Sequence, residues 1–223
     1  MANEVRITPS ILNADRENLQ SEIARISSVS DFIHLDIMDN LFVPNFTFDF
    51  QTAAEIIGKC PIPVDSHLMV EQADDIAIAY AEAGSASVTI HVEAVKNIGQ
   101  TLSSIRAHGA RAAIALKPGT EIDSYREYIN SVDMILIMTV EPGFGGQSFM
   151  EQMLPKIKQI KKLLGGRDIW IQVDGGISTS TIAMAREAGA DTFVAGSAVF
   201  NAPDPAEMVN QLRALAGSTI VKP

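Results

Sequence analysis

The chain has little of what disulfide-linked, nucleic-acid-binding and membrane proteins require. It contains one cysteine, Cys60, so no disulfide can form within the chain and no CxxC metal site is possible. Acidic residues outnumber basic ones by 27 to 17, and no basic stripe is available to bind a phosphate backbone. No apolar run approaches the roughly 18 residues of a membrane span. We therefore expect a protein that binds neither nucleic acid nor membrane.

Residues 1–6 also lack the basic region and following apolar stretch of a signal peptide, which predicts a soluble, cytoplasmic protein. No linker rich in proline, serine or charge divides the chain, so we expect one domain over residues 1–223. The net charge of −10 has a further consequence. An anionic substrate would have to be held locally, by backbone amides and helix ends, because the overall field repels it.

Eight apolar segments with strand character alternate with eight segments of helical spacing. The predicted strands are residues 6–12, 32–39, 63–69, 87–92, 111–116, 133–139, 168–173 and 192–195, and the predicted helices are residues 19–28, 52–57, 74–83, 98–108, 122–129, 150–164, 179–188 and 205–216. This alternation favours a parallel α/β sheet, and eight units favour closure into a (β/α)8 TIM barrel. A doubly wound open sheet is the competing fold, but its glycine loop would follow the first strand, whereas here glycines follow strands six to eight.

The second predicted strand carries an unusual polar face. Residues two apart on a strand project to the same side, so His34, Asp36 and Met38 share one face. His67 lies near the end of the third strand, and Asp174 follows the seventh. Since the C-terminal strand ends form the active-site face of a barrel, these groups should converge there.

Two imidazoles and two carboxylates form a mixed nitrogen and oxygen set suited to one divalent metal ion. The predicted ligands are His34, Asp36, His67 and Asp174, and the ion can be zinc, iron, manganese or cobalt. The alternative interpretation makes the histidines hydrogen-bonded core residues and the aspartates loop caps. This alternative explains each residue taken singly. It explains less well why four such groups occur together at the ends of their strands.

Six of the 15 glycines follow strands six to eight: Gly143, Gly145, Gly146, Gly175, Gly176 and Gly196. Absent side chains let backbone amides approach an anion, and Ser197 adds a hydroxyl donor. We expect a phosphate site here, although tight turns would explain each glycine singly. The methionines Met38, Met69 and Met138 are either core filler or a polarisable wall against a planar, electron-rich intermediate.

Three further groups are harder to assign. His91 ends the fourth predicted strand without an identifiable partner, and His108 before Gly109 is best explained as a helix C-terminal cap. Asp65 shares a face with His67 and is expected to orient that ring rather than to bind metal.

Seven ordered motifs carry a resemblance to a known family. They are Ser-Ile-Leu at 10–12, His-Leu-Asp-Ile-Met-Asp at 34–39, Phe-Val-Pro-Asn at 42–45, His-Leu-Met at 67–69, Met-Thr-Val-Glu-Pro-Gly-Phe-Gly-Gly-Gln at 138–147, Asp-Gly-Gly-Ile at 174–177 and Val-Ala-Gly-Ser-Ala-Val-Phe at 194–200. With these motifs, nearly the whole chain resembles ribulose-phosphate 3-epimerase.

The resemblance implies a barrel that binds one divalent metal and interconverts ribulose 5-phosphate and xylulose 5-phosphate. It makes Asp36 and Asp174 the acid/base pair, and it suggests a homo-oligomer, either a dimer or a hexamer. Together with the glycine loops and the methionines, it gives the residues expected to contact substrate. These are Ser10, Met38, His67, Met69, Met138, Gly143, Phe144, Gly145, Gly146, Asp174, Gly175, Gly176, Gly196 and Ser197.

Three positions depart from the family pattern: Asn40, Leu41 and Asp49, in loops after strand two that we expect beside the substrate. They leave open a six-carbon ketose 6-phosphate, such as allulose 6-phosphate, as the substrate. A phosphate-barrel lyase is less well supported, because no Asp-x-Lys segment occurs at the strand ends. A non-catalytic sugar-phosphate-binding barrel would keep the glycines but would not need both Asp36 and Asp174.

The expected mechanism follows from the chemistry at carbon 3, beside the ketone. One carboxylate removes the proton from one face of this carbon, and the other returns a proton to the opposite face. A metal bound by the oxygens at carbons 2 and 3 would stabilise the intervening enediolate as a Lewis acid.

Overall fold

The computed structural model describes residues 4–217 and contains eight parallel strands in one barrel. The strands are β1 (Arg6–Thr8), β2 (Ile33–Met38), β3 (Val64–Met69), β4 (Ser87–His91), β5 (Arg111–Leu116), β6 (Met134–Met138), β7 (Trp170–Asp174) and β8 (Thr192–Val194). Each strand from β2 to β8 pairs with its sequence neighbour, and β1 pairs with β8. A bridge between Ser10 and His34 joins β1 to β2, where the His34 amide donates to Pro9 O at 2.9 Å. The predicted (β/α)8 barrel is confirmed.

The α-helices are α1 (Leu19–Ile26), α2 (Phe50–Lys59), α3 (Ala73–Glu82), α4 (Ile98–Ala107), α5 (Leu154–Leu164), α6 (Ile182–Ala188), α7 (Ser197–Phe200) and α8 (Pro205–Gly217). No helix in residues 4–217 is long and apolar enough to cross a membrane. The interpretation of residues 1–3 as a start without a signal peptide, and the end of the predicted domain at 218–223, lie outside the described residues.

Strand parity separates an apolar outer face from a polar interior. On β2, Ile33, Leu35 and Ile37 join the main hydrophobic core that lies between the strands and the helices. The alternate residues His34 and Asp36 are also buried, but they point into the barrel. The apolar shell thus stabilises the barrel while its interior remains available for polar groups.

The helix α7 was not predicted, the predicted helix 150–164 begins with a 3-10 turn at Glu151–Met153, and Asp174 ends β7 instead of following it. Two further predicted elements differ from those observed for a clear physical reason. The first strand ends at Thr8 instead of residue 12, because Pro9 has no N–H to donate and a 3-10 turn, Ile11–Asn13, follows. The predicted helix at 122–129 is a 3-10 helix, Ile122–Ser131. Ile122, Tyr125 and Tyr128 pack on the core at a spacing of three, as in a helix of three residues per turn, and Ile129 is buried beside them.

Candidate active site

A cleft opens at the C-terminal ends of the strands. It is lined by Ser10, Leu12, Asn13, Asp36, Met38, Met69, Met138, Val140, Pro142, Gly143, Phe144, Gly145, Gly146, Gln147, Asp174, Gly175, Gly176, Ile177, Val194, Gly196 and Ser197. Every residue predicted to contact substrate is therefore at the cleft except His67, which lies beneath it in contact with Asp36.

Four side chains meet at the floor of this cleft. His34 Nε2 lies 3.3 Å from Asp36 Oδ1 and 3.9 Å from Asp174 Oδ2. His67 Nδ1 lies 3.1 Å from Asp36 Oδ1 and 3.6 Å from Asp174 Oδ2. All four potential ligand atoms lie within 4.8 Å of one another. Residues from β2, β3 and β7 thus converge as strand parity predicts.

This cluster fits a divalent ion by both chemistry and spacing. Ligand atoms at about 2.0–2.2 Å from a tetrahedral centre are about 3.4 Å apart. The two ring nitrogens, His34 Nε2 and His67 Nδ1, are 3.4 Å apart, and the nitrogen-to-oxygen separations given above scatter around the same value. Mixed imidazole and carboxylate donors suit several divalent metals.

The two carboxyl groups occupy different electrostatic surroundings. Burial raises the pKa of Asp174 to about 6, and the negative charge of Asp36 adds to the rise. Burial acts on Asp36 in the same direction, but attraction to the His34 and His67 rings outweighs it and holds the pKa of Asp36 well below its usual range. Ser10 Oγ also donates to Asp36 Oδ2 at 2.5 Å. The ionised form of Asp36 is therefore favoured and held in place, whereas Asp174 binds a proton more tightly than an ordinary aspartate.

Asp65 supports a different histidine from the one expected. Its Oδ2 lies 2.9 Å from His34 Nδ1 and also accepts from Gln172 Nε2 at 2.7 Å. Asp65 pairs in register with His34 on the neighbouring strand, which explains the contact. The expectation that Asp65 orients His67 was wrong. Burial opposes a charge on His34, but Asp36 and Asp65 outweigh it and raise the pKa of His34 well above its ordinary value.

His67 instead contacts His91, the residue for which sequence reasoning found no partner. The two Nε2 atoms are 2.9 Å apart, and His91 Nδ1 lies 3.2 Å from Glu93 Oε2. Burial lowers the pKa of His91 to about 4. Burial raises the pKa of Glu93, but hydrogen bonds from His91 and Thr120 outweigh it and lower that pKa to about 2. Strand parity alone would have placed His91 inside the barrel beside β3.

The backbone requires glycine at both positions of the turn after β7. Gly175 has a φ of +118° and Gly176 a φ of +67°, which other residues rarely adopt. A Cβ atom would also overlap Val140 at Gly175 and the Phe149 backbone at Gly176. The tight turn therefore explains this pair fully, and both glycines also line the cleft.

The methionines and Asn13 complete the cleft wall. Met38, Met69 and Met138 are buried and line the cleft from three strands. Sequence reasoning missed Asn13, whose side chain lies where a Cβ atom at Gly145 or Gly196 would be. Its polar group between two glycine loops was the available signal. His108 caps α4 as predicted, with Nδ1 donating to Ser104 O at 2.8 Å.

The three departures from the family pattern do not line the cleft, so the expectation that they lie beside the substrate was wrong. Asn40 adopts a left-handed backbone with a φ of 60°, a conformation that asparagine tolerates better than most residues. Leu41 points into solvent with 73% of its surface exposed. Asp49 caps α2 by accepting from the Thr52 amide at 2.8 Å. Local backbone needs account for Asn40 and Asp49.

Comparison with known proteins supports the same assignment as the motifs. The model of the ribulose-phosphate 3 epimerase family matches residues 6–200. This chain belongs to that family. Among curated members, the ribulose-phosphate 3-epimerase of Mycobacterium bovis is 44% identical over 214 residues, which are 95% of this chain and 93% of that protein. The Bacillus subtilis ribulose-phosphate 3-epimerase is 37% identical, covering 94% of this chain and 98% of the relative. The chain is accordingly an isomerase of the epimerase class.

Solved structures that have much lower sequence identity to this chain share its fold. The 3-keto-L-gulonate-6-phosphate decarboxylase of Vibrio cholerae superposes with a TM-score of 0.75 at 14% identity, covering 97% of this chain and 99% of that one. The 3-hexulose-6-phosphate synthase of Salmonella typhimurium gives 0.71 at 15% identity, covering 97% and 100%. At these identities the likeness concerns the barrel alone.

Proposed function

We propose that the protein epimerises carbon 3 of a ketopentose 5-phosphate, interconverting D-ribulose 5-phosphate and D-xylulose 5-phosphate. The observation that carries this proposal is the pair Asp36 and Asp174, which meet at the cleft floor with pKa values moved in opposite directions. Two such groups are suited to act as base and acid in one reaction. The family of the chain supports the choice of substrate.

One carboxylate removes the carbon-3 proton, and the electron pair left behind delocalises into the neighbouring carbonyl to give a 2,3-enediolate. The other carboxyl group returns a proton to the opposite face, and the two exchange roles in the reverse direction. Ser10 keeps Asp36 in place by its hydrogen bond, so little reorganisation precedes proton transfer. Both proton-transfer groups thus begin beside the reacting carbon.

We propose that His34, Asp36, His67 and Asp174 hold one divalent ion, which can be zinc, iron, manganese or cobalt. A bound ion supplies Lewis acidity where negative charge develops on the substrate oxygens. Asp65 accepts from His34 Nδ1 and so leaves Nε2 facing the cluster. The spacing of the four ligand atoms supports this assignment.

The rest of the cleft is suited to bind the substrate chain. Gly143, Gly145, Gly146 and Phe144 form one edge of the cleft. Gly175, Gly176, Gly196 and Ser197 line another part of it, which we assign to the phosphate. Backbone amides there can bind the phosphate without a cationic side chain. Met38, Met69 and Met138 would contact the flat enediolate with polarisable sulfur.

A lyase is the second candidate, because solved structures sharing the barrel include a 3-hexulose-6-phosphate synthase. No lysine lines the cleft within the described part of the chain, and carbon–carbon cleavage would lean on one. A non-catalytic binding protein would leave the buried Asp36 and Asp174 pair without a purpose. Epimerisation explains both groups.

We also propose that the enzyme is a homo-oligomer, a dimer or a hexamer as the family resemblance suggests. Leu41, Phe46 and Phe50 expose large apolar side chains within one short segment. Exposed apolar groups close together favour association with another surface.

The test follows exchange of the carbon-3 proton of ribulose 5-phosphate with deuterated solvent. We expect exchange in the metal-loaded enzyme, loss after chelation, and recovery when a divalent ion is restored. The variant Asp174→Asn should fold normally and lose turnover by about 10³-fold or more, because one proton-transfer group is absent. Undiminished exchange in chelated enzyme would exclude the metal role, and near-normal turnover in Asp174→Asn would exclude the two-carboxylate mechanism.

A further inference from the structure

A buried chain of hydrogen-bonding groups runs from the cleft floor to the outside of the barrel. His67 Nε2 lies 2.9 Å from His91 Nε2, and the two rings stack at 28° with centroids 5.0 Å apart. His91 Nδ1 then lies 3.2 Å from Glu93 Oε2. Both rings are fully buried and so are shielded from bulk solvent.

The far end of this chain determines where its protons lie. The Glu93 carboxylate only accepts hydrogen bonds: Oε1 accepts from the Lys117 amide at 3.0 Å and from the Thr120 hydroxyl. Its other oxygen must therefore receive the Nδ1 proton of His91. This leaves a lone pair on His91 Nε2, which can accept the Nε2 proton of His67. His67 is then left with its lone pair on Nδ1.

That lone pair is on the atom that faces the carboxylates, since His67 Nδ1 lies 3.1 Å from Asp36 Oδ1. A metal ligand must present a lone pair, and its other nitrogen usually donates to a fixed acceptor. His34 meets this requirement through Asp65, at 2.9 Å from its Nδ1. The two histidines thus use opposite ring nitrogens, and each has its own buried acceptor.

We infer that His91 is a positioning residue that fixes the tautomer and orientation of His67 for metal binding. Glu93 contributes by holding the proton of His91 on Nδ1, so that His91 Nε2 can accept the proton of His67. The inference rests on the proposed function, because it takes the four-residue cluster to be a metal site. His91 is absent from the residues lining the cleft, and the Phe42 ring covers it at a centroid distance of 4.9 Å. It therefore acts through His67 and not on the substrate.

The test measures Co²⁺ binding to metal-free enzyme by competition with a chromophoric chelator. His91→Leu removes the acceptor and should weaken Co²⁺ affinity by about 10- to 100-fold. His91→Gln keeps an amide oxygen that can accept from His67 and should stay within about threefold of wild type. Glu93→Gln should lower Co²⁺ affinity by about threefold to tenfold, since an amide can donate as well as accept and no longer holds the His91 proton on Nδ1.

Thr89→Val is the matched control. Thr89 lies on the same strand and interior face, two residues before His91, and its buried hydroxyl makes no hydrogen bond. This variant should bind Co²⁺ like wild type. Thermal unfolding of each metal-free protein shows whether a loss of affinity reflects loss of the fold.

A second readout reports the tautomers directly. The chain has 4 histidines, so long-range ¹H–¹⁵N spectra of the zinc-loaded protein can resolve each ring. We expect the proton on Nδ1 for His91 and on Nε2 for His67, with mixed tautomers for His91 in Glu93→Gln. A merely structural role for His91 would leave these signals unchanged in Glu93→Gln.

Wild-type Co²⁺ affinity in a folded His91→Leu protein would overturn the inference and leave the proposed function intact. If that variant does not fold, unchanged affinity and tautomers in Glu93→Gln would overturn it equally. Failure of the wild type to bind Co²⁺ would overturn the proposed metal site and the inference with it. Weakened binding in His91→Leu with recovery in His91→Gln would support the inference.

Discussion

At the scale of single residues, Asp36 and Asp174 share a cluster, but their pKa values are shifted in opposite directions. Asp36 lies against both histidine rings and receives the Ser10 hydroxyl, so its ionised form is stabilised. Asp174 lies farther from the same rings, and burial favours its neutral form. Proton transfer in both directions benefits from such a pair, because one group is ready to accept a proton while the other can donate.

The raised pKa of Asp174 predicts a pH dependence of stability in metal-free protein. Its pKa rises from 3.8 in the unfolded chain to about 6 in the fold, so the folded state binds the proton more tightly. The stabilisation is complete below the unfolded pKa and is lost as the pH rises through about 6. Relative to Asp174→Asn, which cannot titrate, the wild type should lose about 1–3 kcal/mol over this range.

Thermal unfolding of both chelated proteins from about pH 4 to pH 8 measures this difference. Saturating Co²⁺ is the control, and it should reverse the trend in the wild type because the ion binds the ionised carboxylate. A constant difference between the two proteins across the range would contradict the assignment of the shift to Asp174.

Sequence reasoning located these residues but not all of their contacts. Alternation along β2 and β3 predicted that His34, Asp36 and His67 point into the barrel, and they do. Alternation does not reveal which neighbour a side chain contacts, which depends on the register between strands. Asp65 was therefore assigned to His67, although the register places it beside His34.

At the scale of secondary-structure elements, the loop after β5 depends on a residue from α5. Lys156 is buried, and its Nζ donates to Lys117 O at 3.2 Å, to Pro118 O at 2.6 Å and to Thr120 O at 2.8 Å. The same loop donates to Glu93. Sequence alone could not separate this lysine from the others on α5, because only the packing of the loop buries it.

Lys156→Met should destabilise the protein by about 2–4 kcal/mol, because three carbonyl groups lose their donor in a buried place. The unbranched methionine keeps most of the packing of the lysine stem. Lys158→Met on the exposed face of the same helix is the matched control and should change stability by about 0.5 kcal/mol or less. If both variants lowered the free energy of unfolding equally in denaturant, the three hydrogen bonds from Lys156 would not contribute to stability.

The 3-10 helix Ile122–Ser131 shows a limit of periodicity at the same scale. Spacings of three and four residues both occur in α-helices, so a short polar segment with apolar residues three apart is read as α-helical. In the fold this segment has three residues per turn, with Tyr125 and Tyr128 packed on the core, and the apolar spacing alone does not predict that choice. The sequence predicts a helix in this segment, but it does not predict that the helix is of the 3-10 type.

At the scale of the whole molecule, the barrel sets the distance between the proposed proton-transfer groups and the loops proposed to bind phosphate. Asp36 and Asp174 lie at the ends of β2 and β7, and the loops after β7 and β8 form the other end of the same cleft. Strands in a closed barrel move little relative to one another, so this separation is a fixed length. A rigid site of this kind selects substrates by how many bonds join the phosphate to the reacting carbon.

This fixed length predicts the preference between five- and six-carbon substrates. In a ketopentose 5-phosphate, two carbon–carbon bonds join the phosphorylated carbon to carbon 3, and a ketohexose 6-phosphate adds one more. If the phosphate stays in its loops, the extra bond moves carbon 3 by about 1 Å from the carboxylates, a displacement that can cost about 10²-fold in rate. Asn40, Leu41 and Asp49 lie outside the cleft, so they do not compensate for the displacement.

Steady-state kinetics with ribulose 5-phosphate and allulose 6-phosphate measures this preference. We expect kcat/KM to be about 10²-fold higher for the five-carbon substrate, with most of the loss in kcat because both substrates carry the same phosphate anchor. Asn40→Gly is the control, and it should leave the ratio unchanged because it alters only a turn outside the cleft. Equal or higher kcat/KM for allulose 6-phosphate would mean that the phosphate loops do not fix the position of carbon 3.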